Sequence, residues 1–171
     1  MKTIEYQSNT YSLNGKKWVD SRGMVVPLVT QAALNKKYNE EIDFESIHIS
    51  KVIELADGLK ETRSFTYAIR AYQFVIDNSD YATIKTMLPR ITSCYLATGF
   101  PNKAIDLFST AQKRYGESIV NHVMLTSIAT AFCDVGEFDQ AKKCYDKAST
   151  MSGGRASIEL SLVYKRIKKG K

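Results

Sequence analysis

The chain has 171 residues, 44% of them hydrophobic and 25% charged, a balance that excludes a disordered chain and suits one compact domain or a repeat array with a small appendage. Its formal charge of +6 is concentrated at one end, where Lys165, Arg166, Lys168, Lys169 and Lys171 stand with no acid among them. Without those five, 19 basic residues face 18 acidic ones, so the body lacks the electrostatic footprint of a nucleic-acid groove and only the tail offers non-specific attraction to phosphate or an anionic surface.

The opening Met-Lys-Thr-Ile-Glu-Tyr is too polar for a signal peptide, and no run approaches the roughly 18 apolar residues of a spanning helix. The three cysteines, Cys94, Cys133 and Cys144, lack a Cys-x-x-Cys spacing and fall inside helical patterns. That usage suits a reducing compartment, and the expected location is cytoplasmic, with no membrane partner.

Residues 1–45 read as a β-hairpin or ribbon followed by a short helix. Asn14-Gly15 is a strong hairpin-turn dipeptide, and a turn centred there pairs Leu13 with Lys16 and Tyr11 with Trp18. Ile4 to Tyr6 offers a preceding strand, with Ser8-Asn9 as the turn. Two readings stand for Tyr6, Tyr11 and Trp18. They cap the first helical pair, or they form a recognition hairpin whose aromatic face anchors a protein or stacks on unpaired bases. After Pro27 the run through Leu28, Ala32, Leu34, Lys37 and Tyr38 predicts a helix, and the acids Glu40, Glu41, Asp43 and Glu45 follow it.

Residues 46–155 carry an internal repeat. Ala104, Phe108 and Ala111 recur as Ala141, Tyr145 and Ala148, and more loosely as Ala68, Tyr72 and Val75, each set on one helix face. Twelve residues upstream of the leading alanines stand Ala56, Thr92 and Ala129, each followed three later by Leu59, Tyr95 or Phe132. Val52 and Leu55, Leu88 and Ile91, and Leu125 and Ile128 precede them in register. The two faces are joined at Gly99-Phe100-Pro101-Asn102 and Gly136-Glu137-Phe138-Asp139, where glycine ends one helix and proline suits the start of the next. Arg63 replaces the glycine in the first unit, so that turn is expected to be reached differently. Each unit reads as helix, turn, antiparallel helix, with a period of 36 to 37 residues.

These residues resemble the tetratricopeptide repeat family over about residues 49 to 155. The third unit is closest, where Leu125, Ile128, Ala129, Phe132, Gly136, Phe138, Ala141, Tyr145 and Ala148 follow the pattern of small and bulky positions. The usual proline near the end of the second helix is missing from all three units, and Pro89 falls inside a first helix, where it should kink the helix or mark its start. The resemblance implies a mainly α fold: an α-solenoid of about three helix-turn-helix repeats, here with an N-terminal β-hairpin and a C-terminal capping helix.

Residues 156–171 form that cap and the basic tail. Leu160, Val163, Tyr164 and Ile167 make an apolar stripe on a helix from about 155 to 168, suited to covering the open end of the array.

Catalytic chemistry finds little support. His48 and His122 are far apart without metal-ligand spacing, Gly153-Gly154 lacks the flanks of a phosphate loop, and Cys133 beside Phe132 reads as a small buried hydrophobe. No catalytic residue, metal or cofactor is expected. Glu40 and Asp43 read as a solvated helix flank. The function expected is that of a non-enzymatic scaffold, adaptor or regulatory protein that binds a protein or peptide. Its wall of first helices would present Ile53, Asp57, Lys60, Ser93, Leu96, Thr126, Thr130 and Asp134. Tetratricopeptide domains that grip the acidic C-termini of heat-shock chaperones use Lys and Asn at such places. Ile53, Asp57, Ser93, Thr126 and Thr130 stand there in this chain, so that clamp is not carried over. The competing readings are an RNA-binding repeat of pentatricopeptide type and an enzyme with an unrecognised site. The short groove also leaves convex-face contacts and homo-oligomers open.

Overall fold

A computed structural model describes residues 2–155 and 157–170. The chain divides into two compact units, Met1–Ser46 and Ile47–Lys171.

The first unit is a three-stranded antiparallel sheet with a helix. The strands are β1 (Lys2–Tyr6), β2 (Asn9–Asn14) and β3 (Lys17–Val19), in sequential order, and the helix is α1 (Leu28–Glu40). Both turns fall one residue away from their expected places. Gln7 and Ser8, with φ of +50° and +63°, make the first turn as a type I′ pair without glycine. Gly15, with φ of +60°, is followed by Lys16 at negative φ, the type II′ pattern, so Asn14 stays in its strand. Leu13 therefore pairs with Trp18, and Ile4 with Tyr11. This register differs by two residues from the expected one, and strands alternate with period two, so Tyr11 and Trp18 still share a face. That face is buried by α1: Ile4, Trp18 and Leu34 form the core, with Tyr6, Tyr11, Leu13, Val26 and Tyr38 around it.

Gln31 of α1 secures the exposed edge of β3. Its Oε1 accepts from the Trp18 backbone N–H at 2.7 Å, and its Nε2 donates to the Trp18 carbonyl at 2.8 Å. The Trp18 carbonyl also accepts from Val26 N–H at 3.2 Å and Val25 bridges Val19, so Gln31 and the Val25-Val26 segment together blunt that edge. The Trp18 indole N–H donates to Asn35 Oδ1 at 2.7 Å, so the buried ring keeps its one polar atom satisfied.

The second unit consists of helical pairs: α2 (Ile49–Glu61) with α3 (Phe65–Asp77), α4 (Tyr81–Ala97) with α5 (Pro101–Tyr115), and α6 (His122–Asp134) with α7 (Phe138–Met151). A final helix, α8 (Ile158–Lys169), packs on α6 and α7. Ala68, Ala104 and Ala141 are each the fourth residue of their helix, and all are fully buried. The partner helices carry Ala56, Thr92 and Ala129, also at zero exposure, and Ala129 packs in one cluster with Ala141. Small side chains on both helices let the backbones approach, and the larger residues a turn away fill the remaining space. Thr92 is the polar member of the set, and it settles its hydroxyl by donating to the Leu88 carbonyl at 2.7 Å.

The turn inside each pair has one geometry. Arg63, Gly99 and Gly136 take φ of +59°, +76° and +81°. Their N–H groups donate to Lys60, Leu96 and Cys133 carbonyls, and the next N–H donates to Leu59, Tyr95 and Phe132. This double bond pattern is the Schellman cap, made three times. The expectation that Arg63 needs another route is corrected: the arginine adopts the left-handed conformation itself. Pro89 neither starts nor ends its helix. The first helix of the second pair begins a further two turns upstream, capped by Asp80, whose carboxylate accepts from Thr83 N–H at 2.8 Å.

The last helix has the place of a first helix in a fourth pair. Leu160, Val163 and Ile167 are buried, with Val163 and Ile167 against Ala129, Cys133 and Ala141. Tyr164 is 42% exposed and stacks on Tyr145, with ring centroids 5.4 Å apart. Among the described residues no helix is long and apolar enough to cross a membrane.

Candidate functional site

The first helices bury one face in the array and leave the adjoining face accessible. Ile53, Asp57, Lys60, Ser93, Leu96, Thr126 and Thr130 are all partly exposed, and Asp134 is exposed. The structure divides this set. Leu96, Thr126 and Thr130 line a groove of about 400 Å³ with His122, Val123 and Ser127 of α6 and Ser157 and Glu159 at the start of α8. A second groove of about 430 Å³ shares Thr130 and Glu159 and continues along α8 past Leu162, Lys165, Arg166 and Lys169. The two make one channel, spanning α4, α6 and α8.

Ile53, Asp57, Lys60 and Ser93 line neither groove. Asp57 has a structural task. It accepts from the buried Tyr72 hydroxyl at 2.6 Å and from Arg90 at 2.5 Å, tying α2 to α3 and to α4. Burial, then the bond to Asp57, pushes the Tyr72 phenol well above its ordinary range. Asp134 likewise accepts from Arg166 at 2.6 Å, joining α6 to α8.

The three hydroxyls that α6 brings to the channel have a defined polarity. Thr126 donates to the His122 carbonyl at 2.9 Å, Thr130 to Thr126 at 3.1 Å and Ser127 to Val123 at 3.3 Å. Each hydroxyl has one proton, so what remains toward the channel is acceptor lone pairs and, on the threonines, methyl groups. The floor thus offers acceptors and apolar surface: Val123 is 50% exposed and Leu162 53%. Cationic donors enter only at the α8 end.

The aromatic set in the first unit is placed differently. Trp18 is fully buried, and Tyr6 and Tyr11 are half-buried around it on the face that α1 covers. No bare stacking platform is left on that face. An apolar patch does stand open elsewhere in this unit, at Met24, Val25, Leu28 and Val29.

His48 and the three thiols are held in structural settings. His48 caps α2, its Nδ1 accepting from Ser50 N–H at 3.4 Å. Burial raises all three thiols, Cys144 to about 11, which keeps them protonated at neutral pH. Among the described residues no group of three or more His, Cys, Asp or Glu could hold a metal ion.

Sequence reasoning missed Val123, Ser127, Ser157, Glu159 and Leu162, and it had Lys165 and Lys169 only as part of a solvated end. The available signal was Leu162, an apolar residue off the buried stripe of α8. A capping helix that takes the place of a first helix also extends the wall.

No family model matches the chain, and no curated protein matches it by sequence. In structure it is similar to the Sgt2 TPR domain from Aspergillus fumigatus, with a TM-score of 0.61 and 16% identity, over 72% of this chain and 79% of that one. That likeness is one of fold: the protein has a tetratricopeptide-like helical-repeat fold.

Proposed function

We propose that the protein is a non-enzymatic adaptor that binds a peptide or protein segment in the channel across α4, α6 and α8. The observation that carries this reading is the continuity of the two grooves through Thr130 and Glu159, with partly exposed apolar side chains along the floor. A channel of this kind accepts a ligand's side chains while its hydroxyl lone pairs receive the ligand's N–H groups. Burial keeps the three thiols protonated at neutral pH, the state of packing groups rather than of nucleophiles. The buried ribbon face removes one support for base stacking. The cytosol suits three free cysteines.

The test is a block in the middle of the channel. Thr130→Arg places a long side chain where the two grooves meet and sacrifices only a bond within its own helix. Affinity capture from the native cell with wild-type and variant baits should return a partner that the variant loses at unchanged thermal stability. Equal capture by both baits would rule the channel out as the binding surface.

A further inference from the structure

The channel is not uniform along its length, and α8 polarises it. Glu159 lies at the N-terminal end of the helix, Leu162 in the middle, and Lys165 and Lys169 toward the C-terminal end. At about 1.5 Å per residue, the two lysines stand roughly 9 and 15 Å along the axis from the acid. They are four residues apart and so share a face. Arg166 lies beside them but is committed to Asp134 at 2.6 Å. Lys165 and Lys169 make no ion pair among the described residues, and both are exposed. The partial negative charge at a helix C-terminus is worth only about half a unit, so two lysines leave this end clearly positive. The upstream channel, by contrast, contains hydroxyls, His122, Leu96 and Val123, and its one carboxylate is Glu159.

We propose that the channel selects a peptide segment in which an apolar stretch is flanked on one side by carboxylates, the apolar side chains lying along Val123 and Leu162 and the carboxylates meeting Lys165 and Lys169. This rests on the peptide-binding reading above and adds to it the ligand's chemistry and its direction along the channel. The charge recognition comes from the capping helix and not from the wall helices, whose corresponding places carry Asp57, Ser93 and Thr130. Lysines at one end act as point charges, so they set polarity and register, while burial against Leu162 supplies the contact area.

The experiment selects random 12-residue peptides displayed on phage against the full chain. The binders are then measured by fluorescence anisotropy with wild type, Thr130→Arg, Leu162→Asp and the double variant Lys165→Glu/Lys169→Glu. All four substituted side chains are at least partly exposed, and thermal melts check that each variant folds. The expected binders combine an apolar run with Asp or Glu on one side of it. They lose about ten-fold or more in affinity on charge reversal at 0.15 M salt, a difference that shrinks at about 1 M salt as screening shortens to about 3 Å. Leu162→Asp weakens the same peptides. Binders blocked by Thr130→Arg but without acidic bias, or indifferent to charge reversal, overturn the ligand assignment and leave the channel reading standing. Binders indifferent to Thr130→Arg, or no enrichment, overturn both. A single-stranded RNA 12-mer that binds through the same lysines and is not displaced by the selected peptides overturns the assignment in favour of nucleic acid.

Discussion

Arg63 occupies a backbone place that its two counterparts give to glycine. At φ +59° a Cβ meets the neighbouring carbonyl, a conformation costing about 1–2 kcal/mol for an L-residue. Arg63→Gly relieves this but also loosens the unfolded chain, which offsets part of the gain, so the expected net stabilisation is about 0.5–1 kcal/mol. The reverse substitution, Gly136→Ala, should destabilise by about 1 kcal/mol. Nothing lies within 4 Å of the added Cβ at Gly136, so that loss isolates the φ term from packing. Paired urea titrations measure both, and an Arg63→Gly loss would mean the side chain has a compensating contact. The thiols give a second test at this scale. Burial holds folded Cys144 near 11, against an ordinary value of 9.0. Between those values the unfolded thiol has released its proton while the folded one keeps it. The unfolded state then binds fewer protons, so stability is fully present below about pH 9 and falls as pH rises toward 11. The urea midpoint should be flat below that window and decline within it, and the decline should be shallower in Cys144→Ala.

Two carboxylates that look alike differ in what they hold between helices. Asp57 is the acceptor for a fully buried Tyr72 hydroxyl, whereas Asp134 serves Arg166, whose side chain is 41% exposed. Asp57→Ala strands a buried donor and should cost about 1–3 kcal/mol. Asp134→Ala leaves its partner to water and should cost under about 1 kcal/mol. Equal losses in thermal melts would contradict this ranking. In the first unit, Gln31→Ala strips the Trp18 backbone N–H of its acceptor, while the Trp18 carbonyl keeps Val26 N–H, and it should cost about 1 kcal/mol, with faster amide exchange at β3. Such element-level detail was only partly legible in the sequence. Helix pairing was, because Ala68, Ala104 and Ala141 repeat at a spacing that only close-packed helices require. The strand register was not: Gln7-Ser8 makes its turn without glycine or asparagine, and Gln31 acts on Trp18, thirteen residues away. The Arg63 cap was likewise hidden, since arginine carries no sign of left-handed backbone. Asp57 was legible as a wall position, but its commitment to Tyr72 and Arg90 is a property of three helices together.

The array gains cooperativity by each pair covering the next, so its ends decide how it fails. The channel was half legible for the same reason: Leu96, Thr126 and Thr130 follow from the repeat register, while the α8 half requires seeing the capping helix as a fourth wall helix. Deleting residues 157–171 tests that view. It removes Leu160, Val163 and Ile167, each buried to within 4% of full coverage. At about 1.5–3 kcal/mol per buried aliphatic side chain, the loss should reach several kcal/mol. It should also be local at first. Val163 and Ile167 cover Ala129, Cys133 and Ala141, so α6 and α7 lose protection against hydrogen exchange before α2 and α3 do. A tail that merely hangs on a finished array would leave all exchange rates alone. A uniform loss across every helix would instead mean that unit 2 opens as one block, with no weaker end. The graded outcome would tie fold to function, because the helix whose lysines polarise the channel would then also be the one that keeps its third pair closed.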